Sequence, residues 1–197
     1  MYSLFIDTHD RQINLALYKD AELLDSREKE STMHHSDYIM PLLKELLDSN
    51  NINVHDLSEI LCVNGPGSFT GVRLGVTIAK TLAYTLNIPI KTITSLEMFA
   101  VSSNSEKDKL VVINDLKGCF GALFDSNNNI KEDYFYKSNS EFEEYVNNNN
   151  LKDNLIENTI DYSKIYKLFK IKETTIAHKV NPIYIKVIEA LKNDKKS

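Results

Sequence analysis

The chain has 197 residues, with 28 acidic and 23 basic side chains and a net charge of −5, long enough for one large domain or two small lobes around a real core. Hydrophobic residues make up 42% and charged residues 26%, ordinary values for a soluble protein, and no run approaches the roughly 18 apolar residues of a membrane span. Residues 164–197 hold nine lysines against Glu173, Glu189 and Asp194, which leaves the remainder strongly acidic; that body argues against autonomous nucleic-acid binding, and the lysine-rich end reads as a solvated helical terminus.

In chain order, residues 2–7, 13–18 and 22–29 read as three successive strands. A helix follows over 35–49, then a short turn capped by Asp56. Residues 59–64 form a fourth strand, 70–87 a second helix, 89–93 a fifth strand and 94–102 a short helix opened by Thr94 or Ser95. This β-β-β-α-β-α-β-α order predicts an α/β lobe with a mixed sheet. A weaker block follows, with strands over 110–113, 120–124 and 130–136, a helix over 141–146 and a polar break at 147–150. The boundary falls in 102–108, dividing an N-terminal lobe, 1–103, from a smaller lobe, 104–197. Met1-Tyr2-Ser3 leads straight into a strand with no basic region or cleavage site, so no secretory signal is expected. Cys62 and Cys119 lie in apolar strands, where buried thiols are commoner than a disulfide, and a cytoplasmic location follows.

The first helix is apolar over an unusually wide arc. At 100° per residue, Tyr38, Ile39, Met40, Leu42, Leu43, Leu46 and Leu47 span roughly 200°, about twice the stripe that packing on one sheet requires. The excess belongs either to the chain's own second lobe or to another subunit, and a charge at Leu43 would be buried in the second case. Pro41 should kink this helix or loosen its first turns. On the second helix Gly71, Gly75, Ala79 and Ala83 recur every four residues as a stripe of small side chains that admits a close neighbour. Arg73, one of only three arginines, sits between the glycines and either pairs with a carboxylate, caps the loop or reaches a phosphate.

The stretch Asn64-Gly65-Pro66-Gly67-Ser68-Phe69-Thr70-Gly71-Val72-Arg73-Leu74-Gly75 joins the fourth strand to that helix. A strand, a glycine-rich turn and a helix start together offer backbone N–H groups to an anion or a partner. The spacing matches neither standard nucleotide fingerprint. Asp7, Gly65, Gly67, Ser68 and Arg73 are the candidate nucleotide or anion residues, and Ser68 is the first candidate for the helix N-cap, ahead of Thr70. The turn after Asp7 reads Thr8-His9-Asp10-Arg11-Gln12 and has no glycine, which hinders close backbone approach to a phosphate; Asp7 then serves to tie down its own turn. His34 and His35 are adjacent and point about 100° apart on a helix, and no zinc-type spacing or nucleophile elbow occurs. Neither a metal site nor a catalytic residue is assigned.

The glycine-rich stretch closely resembles the signature of the TsaB (YeaZ-like) family. Leu4-Phe5-Ile6-Asp7-Thr8 with Leu15-Ala16-Leu17-Tyr18 resembles the family's opening hairpin, His35-Ser36 with Met40-Pro41-Leu42 its first helix, Ile93-Thr94-Ser95-Leu96-Glu97 the segment after its second helix, and Pro182-Ile183-Tyr184-Ile185-Lys186 its C-terminal element. The resemblance is convincing over residues 2–100. It implies an actin-like, Hsp70-like and sugar-kinase-like (ribonuclease H-like) fold of two lobes, the second reduced. It implies a non-catalytic scaffold subunit in the assembly that puts threonylcarbamoyl on the adenosine next to the tRNA anticodon. The partners would be the catalytic subunit TsaD and the ATPase TsaE, with a homodimer when alone and tRNA met only through the complex. ATP or ADP with Mg would enter only in the assembled complex. The implied interface comprises Tyr38, Ile39, Leu42, Leu43, Leu46, Gly71, Gly75 and Ala79. The family's second-lobe Asp-Ala-Arg segment reads Asn114-Asp115-Leu116 here and lacks its arginine. The rival readings are a phosphotransferase or ATPase of the sugar- or acyl-kinase class and a stand-alone homodimeric interaction module.

Overall fold

The first two strands send apolar side chains to both faces, and both faces are covered. In the computed structural model, which describes residues 1–31 and 35–185, β1 (Tyr2–Asp7), β2 (Gln12–Lys19) and β3 (Glu22–Glu30) form an antiparallel meander. Helix α1 (His35–Ser49) and a 3-10 turn at Val54–Asp56 lead to β4 (Leu57–Val63), parallel to β1. Helix α2 (Phe69–Leu86) then leads to β5 (Ile90–Ile93), parallel to β4. The sheet order β3-β2-β1-β4-β5 is that of a ribonuclease H-like lobe, the unit of the actin-like architecture.

The period of two sorts the core. Leu4, Ile6, Ile13, Leu15, Leu17, Ile60 and Cys62 face α1 and α2, whereas Phe5, Ala16, Tyr18, Leu61 and Val63 face the opposite layer. That layer begins with α3 (Ser95–Ser102), opened by a capping box between Thr94 and Glu97. It continues with an antiparallel sheet of β6 (Lys109–Asp115), β7 (Gly118–Phe124) and β8 (Ile130–Ser138). Helix α4 (Asn139–Asn148) covers that sheet's far face through Val146, Phe142 and Tyr145. Pro41 sits inside α1, which nonetheless runs unbroken from His35 to Ser49.

The lysine-rich end, expected as a solvated helical terminus, opens with a helix that buries one face. Asp161 caps α5 (Tyr162–Ile171), whose Tyr162, Ile165, Tyr166 and Phe169 are buried at the i, i+3, i+4, i+7 spacing of an amphipathic helix. These side chains pack on the first sheet. Phe5 meets the Tyr162 and Phe169 rings edge-on at 6.0 Å, and Tyr18 lies 4.6 Å from Tyr166. The Tyr18 hydroxyl donates to the Tyr162 carbonyl at 3.0 Å and the Tyr162 hydroxyl to Glu28 at 2.8 Å. Part of the lysine-rich end is spent here: the Lys164 ammonium donates to the Ser102 and Ser103 carbonyls at the C-terminus of α3.

After α5 the chain returns to the first lobe. Thr175 exchanges backbone hydrogen bonds with Ile90, at 2.9 and 3.3 Å, and the Ile183 N–H donates to the Asn64 carbonyl at 2.8 Å. Lys80 of α2 donates to the Val180 carbonyl at 2.7 Å. The division at residue 103 is therefore crossed twice. Residues 104–160 hold the small sheet and α4, while α5 and the strap after it cover the first lobe. The bonds named above that hold them span from 61 to 144 residues, and local pattern carries no trace of such pairing.

Phe169 is 1% exposed and joins α5 to β1. Its truncation in Phe169→Ala should cost about 3–5 kcal/mol by leaving a cavity, read as a lower urea midpoint at unchanged slope.

Candidate functional site: the glycine loop and the outer helices

The glycine loop closes on the β1–β2 turn. A Cβ at Gly67 would collide with the His9 carbonyl oxygen, one at Gly71 with the Thr8 carbonyl oxygen, and one at Gly75 with the Thr8 hydroxyl. Three glycines, spaced by four, thus clear the space that two turn residues fill. The loop's polar groups are consumed in the same contact. The Ser68 N–H donates to the His9 carbonyl at 2.6 Å, the Gly71 N–H to Ser68 Oγ at 3.3 Å and the Thr8 hydroxyl to the Gly71 carbonyl at 2.7 Å. Ser68 is the N-cap of α2, as the sequence suggested. From the other side, Ser95 donates its N–H to the Gly65 carbonyl at 2.9 Å and its hydroxyl to the Pro66 carbonyl. Gly65 adopts φ +102°, a conformation that L side chains avoid.

Asp7 is fully buried. Its Oδ1 accepts the His9 backbone N–H at 3.0 Å and lies 2.8 Å from His9 Nδ1, and its Oδ2 accepts from Asn14 Nδ2 at 3.0 Å. It ties down its own turn. With that carboxylate engaged, the Ser68 N–H given to the turn and the space before the glycines filled by Thr8 and His9, this corner does not fit a nucleotide with Mg2+. Among the described residues no group of three or more His, Cys, Asp or Glu is placed to hold a metal. His35 reaches back to the Asp10 carbonyl, 2.7 Å from its Nε2, and His34 lies outside the described residues. Burial pushes both thiols up, Cys119 to about 11, so neither is a ready nucleophile.

His9 is as buried as Asp7. Burial is the largest influence and by itself lowers its pKa, but Asp7 at 2.8 Å and Asp10 at 4.0 Å together hold it above the ordinary imidazole value of 6.5.

The proposed interface residues fall into two groups. Ile39, Leu43 and Leu46 are 0–3% exposed, Gly71 and Gly75 are buried against Thr8, and Ala79 lies in the core on the helical face of the first sheet. These six serve the chain's own core and are closed to a second chain in this conformation. The middle of the wide apolar arc on α1 rests on the first sheet, so a single chain consumes the stripe's centre. The flanks remain. Tyr38 and Met40 are about half exposed, with Lys29 stacked over the Tyr38 ring, and Leu42 is half-buried. Leu74, Ile78 and Leu82 of α2 are half-buried at the rim of the same core. Arg73 is exposed and stacks 5.0 Å from the Phe69 ring centre. Its acidic or phosphate partner is not found among the described residues.

The chain's relatives match its first half. The family model described as TsaD, tRNA N6-adenosine threonylcarbamoyltransferase, matches residues 27–115. The TsaB protein of Bacillus subtilis, named for tRNA threonylcarbamoyladenosine biosynthesis, is 40% identical over 102 residues, 52% of this chain and 44% of that protein. Its Escherichia coli counterpart is 30% identical over 100 residues, 51% and 43%. YeaZ from Pseudomonas aeruginosa superposes with a TM-score of 0.76 at 15% identity, covering 93% of this chain and all of that one. Over its first half the chain is similar to proteins of the TsaB (YeaZ-like) family. It spans about half the length of the curated TsaB relatives it matches. The structural likeness, at that identity, speaks for the fold.

Two outcomes follow. Gly71→Ala forces a methyl into the Thr8 carbonyl, backbone against backbone, and should destabilise by about 1–3 kcal/mol or more through overpacking, with the melting temperature as readout. His9 binds its proton more tightly folded than unfolded. Its contribution is therefore complete below about pH 6.5 and fades as pH rises through the higher folded value. Unfolding free energies measured from pH 6 to 9 should fall across that window in the parent, and His9→Asn should flatten the fall.

Proposed function

We propose that the chain is a non-catalytic partner subunit of the machinery that installs threonylcarbamoyl on the adenosine next to the tRNA anticodon. The names of its relatives support that pathway. The observation that carries a scaffold role is the half-buried ridge on the outer side of α1 and α2, formed by Leu42, Leu74, Ile78 and Leu82 and extended by Tyr38 and Met40. Full burial of an exposed side chain of this kind gains about 1.5–3 kcal/mol, so each half-buried one has about half of that still to gain. Two or three of them are enough to favour a partner helix pair.

On this reading the ridge pairs with TsaD, and with a second copy of the chain when TsaD is absent, so the two states compete for one surface. TsaE joins the assembled pair, and tRNA is met through the complex. ATP or ADP with Mg2+ belongs to the subunit boundary, since this chain's own glycine loop is filled by its own turn. A cytoplasmic location accords with this work and with two buried free thiols. Among the described residues no helix is long and apolar enough to cross a membrane.

The test separates ridge from core. Ile78→Asp should keep the circular-dichroism spectrum and melting temperature near those of the parent. It should also weaken both self-association and TsaD binding by more than a hundredfold, because the carboxylate would be buried unpaired. Leu43→Asp, in the core, should instead unfold the chain. Undiminished TsaD binding and tRNA modification by a folded Ile78→Asp would place the scaffold surface elsewhere.

A further inference from the structure

The opposite flank of α2 carries a second surface, independent of the ridge. Phe69, Arg73, Lys80 and Tyr84 share one side of the helix, turned away from Leu74, Ile78 and Leu82. The strap of residues 174–184 runs alongside, and two open clefts of about 620 and 510 Å3 lie in the seam between strap and helix. The first is lined by Tyr84, Ile176, His178 and Lys179 among others, the second by Arg73, Lys80, Pro182 and Tyr184. Phe69, Tyr84, Ile176 and Tyr184 are 50–79% exposed, an unusual density of large apolar side chains on one seam.

Charge says what fits. Among the described residues neither cleft has a carboxylate in its lining, although the chain as a whole is acidic. Arg73 makes no ion pair among the described residues; its guanidinium carbon lies over the Phe69 ring, 5.0 Å from its centre, and that ring is 5.4 Å from that of Tyr184. A guanidinium held against a ring keeps N–H donors free for a carboxylate. Lys80 is already committed to the Val180 carbonyl, and the loop N–H groups at Ser68 and Gly71 are spent. One open guanidinium suits single carboxylates better than a polyphosphate, which needs several donors together. Residues 186–197 contain four lysines against Glu189 and Asp194, the wrong sign for the chain's own end to serve as occupant.

We propose that the seam between α2 and the strap binds an extended acidic segment of a protein partner, with carboxylates on Arg73 and the strap's cations and apolar side chains between Phe69, Tyr184, Tyr84 and Ile176. From Phe69 to Tyr84 the helix rises about 22 Å, the reach of about six or seven extended residues.

The experiment uses the full chain and a fluorescein-labelled hexapeptide of four glutamates and two leucines, followed by anisotropy at low salt. Binding should saturate below millimolar peptide. It should weaken about tenfold or more in Arg73→Glu and in Phe69→Ser, and likewise when the glutamates are replaced by glutamines. Melting temperatures should be unchanged, because both side chains are exposed. Amide shift changes should map to residues 69–84 and 174–184 and spare α1. Failure to saturate at millimolar peptide, equal binding by Arg73→Glu, shifts confined to α1, or tighter binding of a hexauridine oligonucleotide than of the peptide would each overturn the proposal.

Discussion

Everything on the helical face of this protein depends on how closely α2 approaches the β1–β2 turn. Backbone meets backbone there, and Gly67, Gly71 and Gly75 are the side of the contact that gives way. The Thr8 hydroxyl, the His9 carbonyl and Ser68 then lock the register by hydrogen bonds. Because the contact sits at the first turns of α2, it sets both the rotation of the helix and its height above the sheet. Ala79 and Ala83 follow on the same buried side, and the bulky residues are displaced to its flanks.

The same contact explains why a glycine-rich strand-to-helix junction need not be an anion site. An anion needs free N–H groups at a helix start and an approach without Cβ atoms. Here the approach exists, and the chain's own turn occupies it. The Thr8 and His9 carbonyls and the Thr8 hydroxyl fill it, and the glycines opposite accommodate them. The buried Asp7–His9 pair is the electrostatic counterpart. Each group is costly to bury alone; together, with Asn14 and the His9 N–H, they fix the turn that fills the loop.

Rotation of α2 also divides its exposed surface. One flank joins the rim of α1 in an apolar ridge. The other faces the returning strap and carries aromatic and cationic side chains. The strap is held at Ile90, Lys80 and Asn64, so both flanks are framed by fixed elements. That geometry leaves two separately framed surfaces on one helix.

Local chemistry was enough to reveal most elements. Alternating residues in β1, β2 and β4, the Ser68 and Thr94 caps and the asparagine-rich end of α4 all act within a few residues, so the sequence displays them. Helix α5 was equally periodic from Tyr162 to Phe169, and its buried face went unread among lysines and asparagines. The extent of the α1 arc was legible, but its division into a buried centre and open flanks was not, because a helical wheel records which side chains are apolar and not what lies against each. The glycine stripe likewise announced a close neighbour without naming it. That neighbour is Thr8, more than sixty residues upstream, and only the folded chain, in which the β1–β2 turn and the start of α2 compete for the same volume, decides that the space is filled from within.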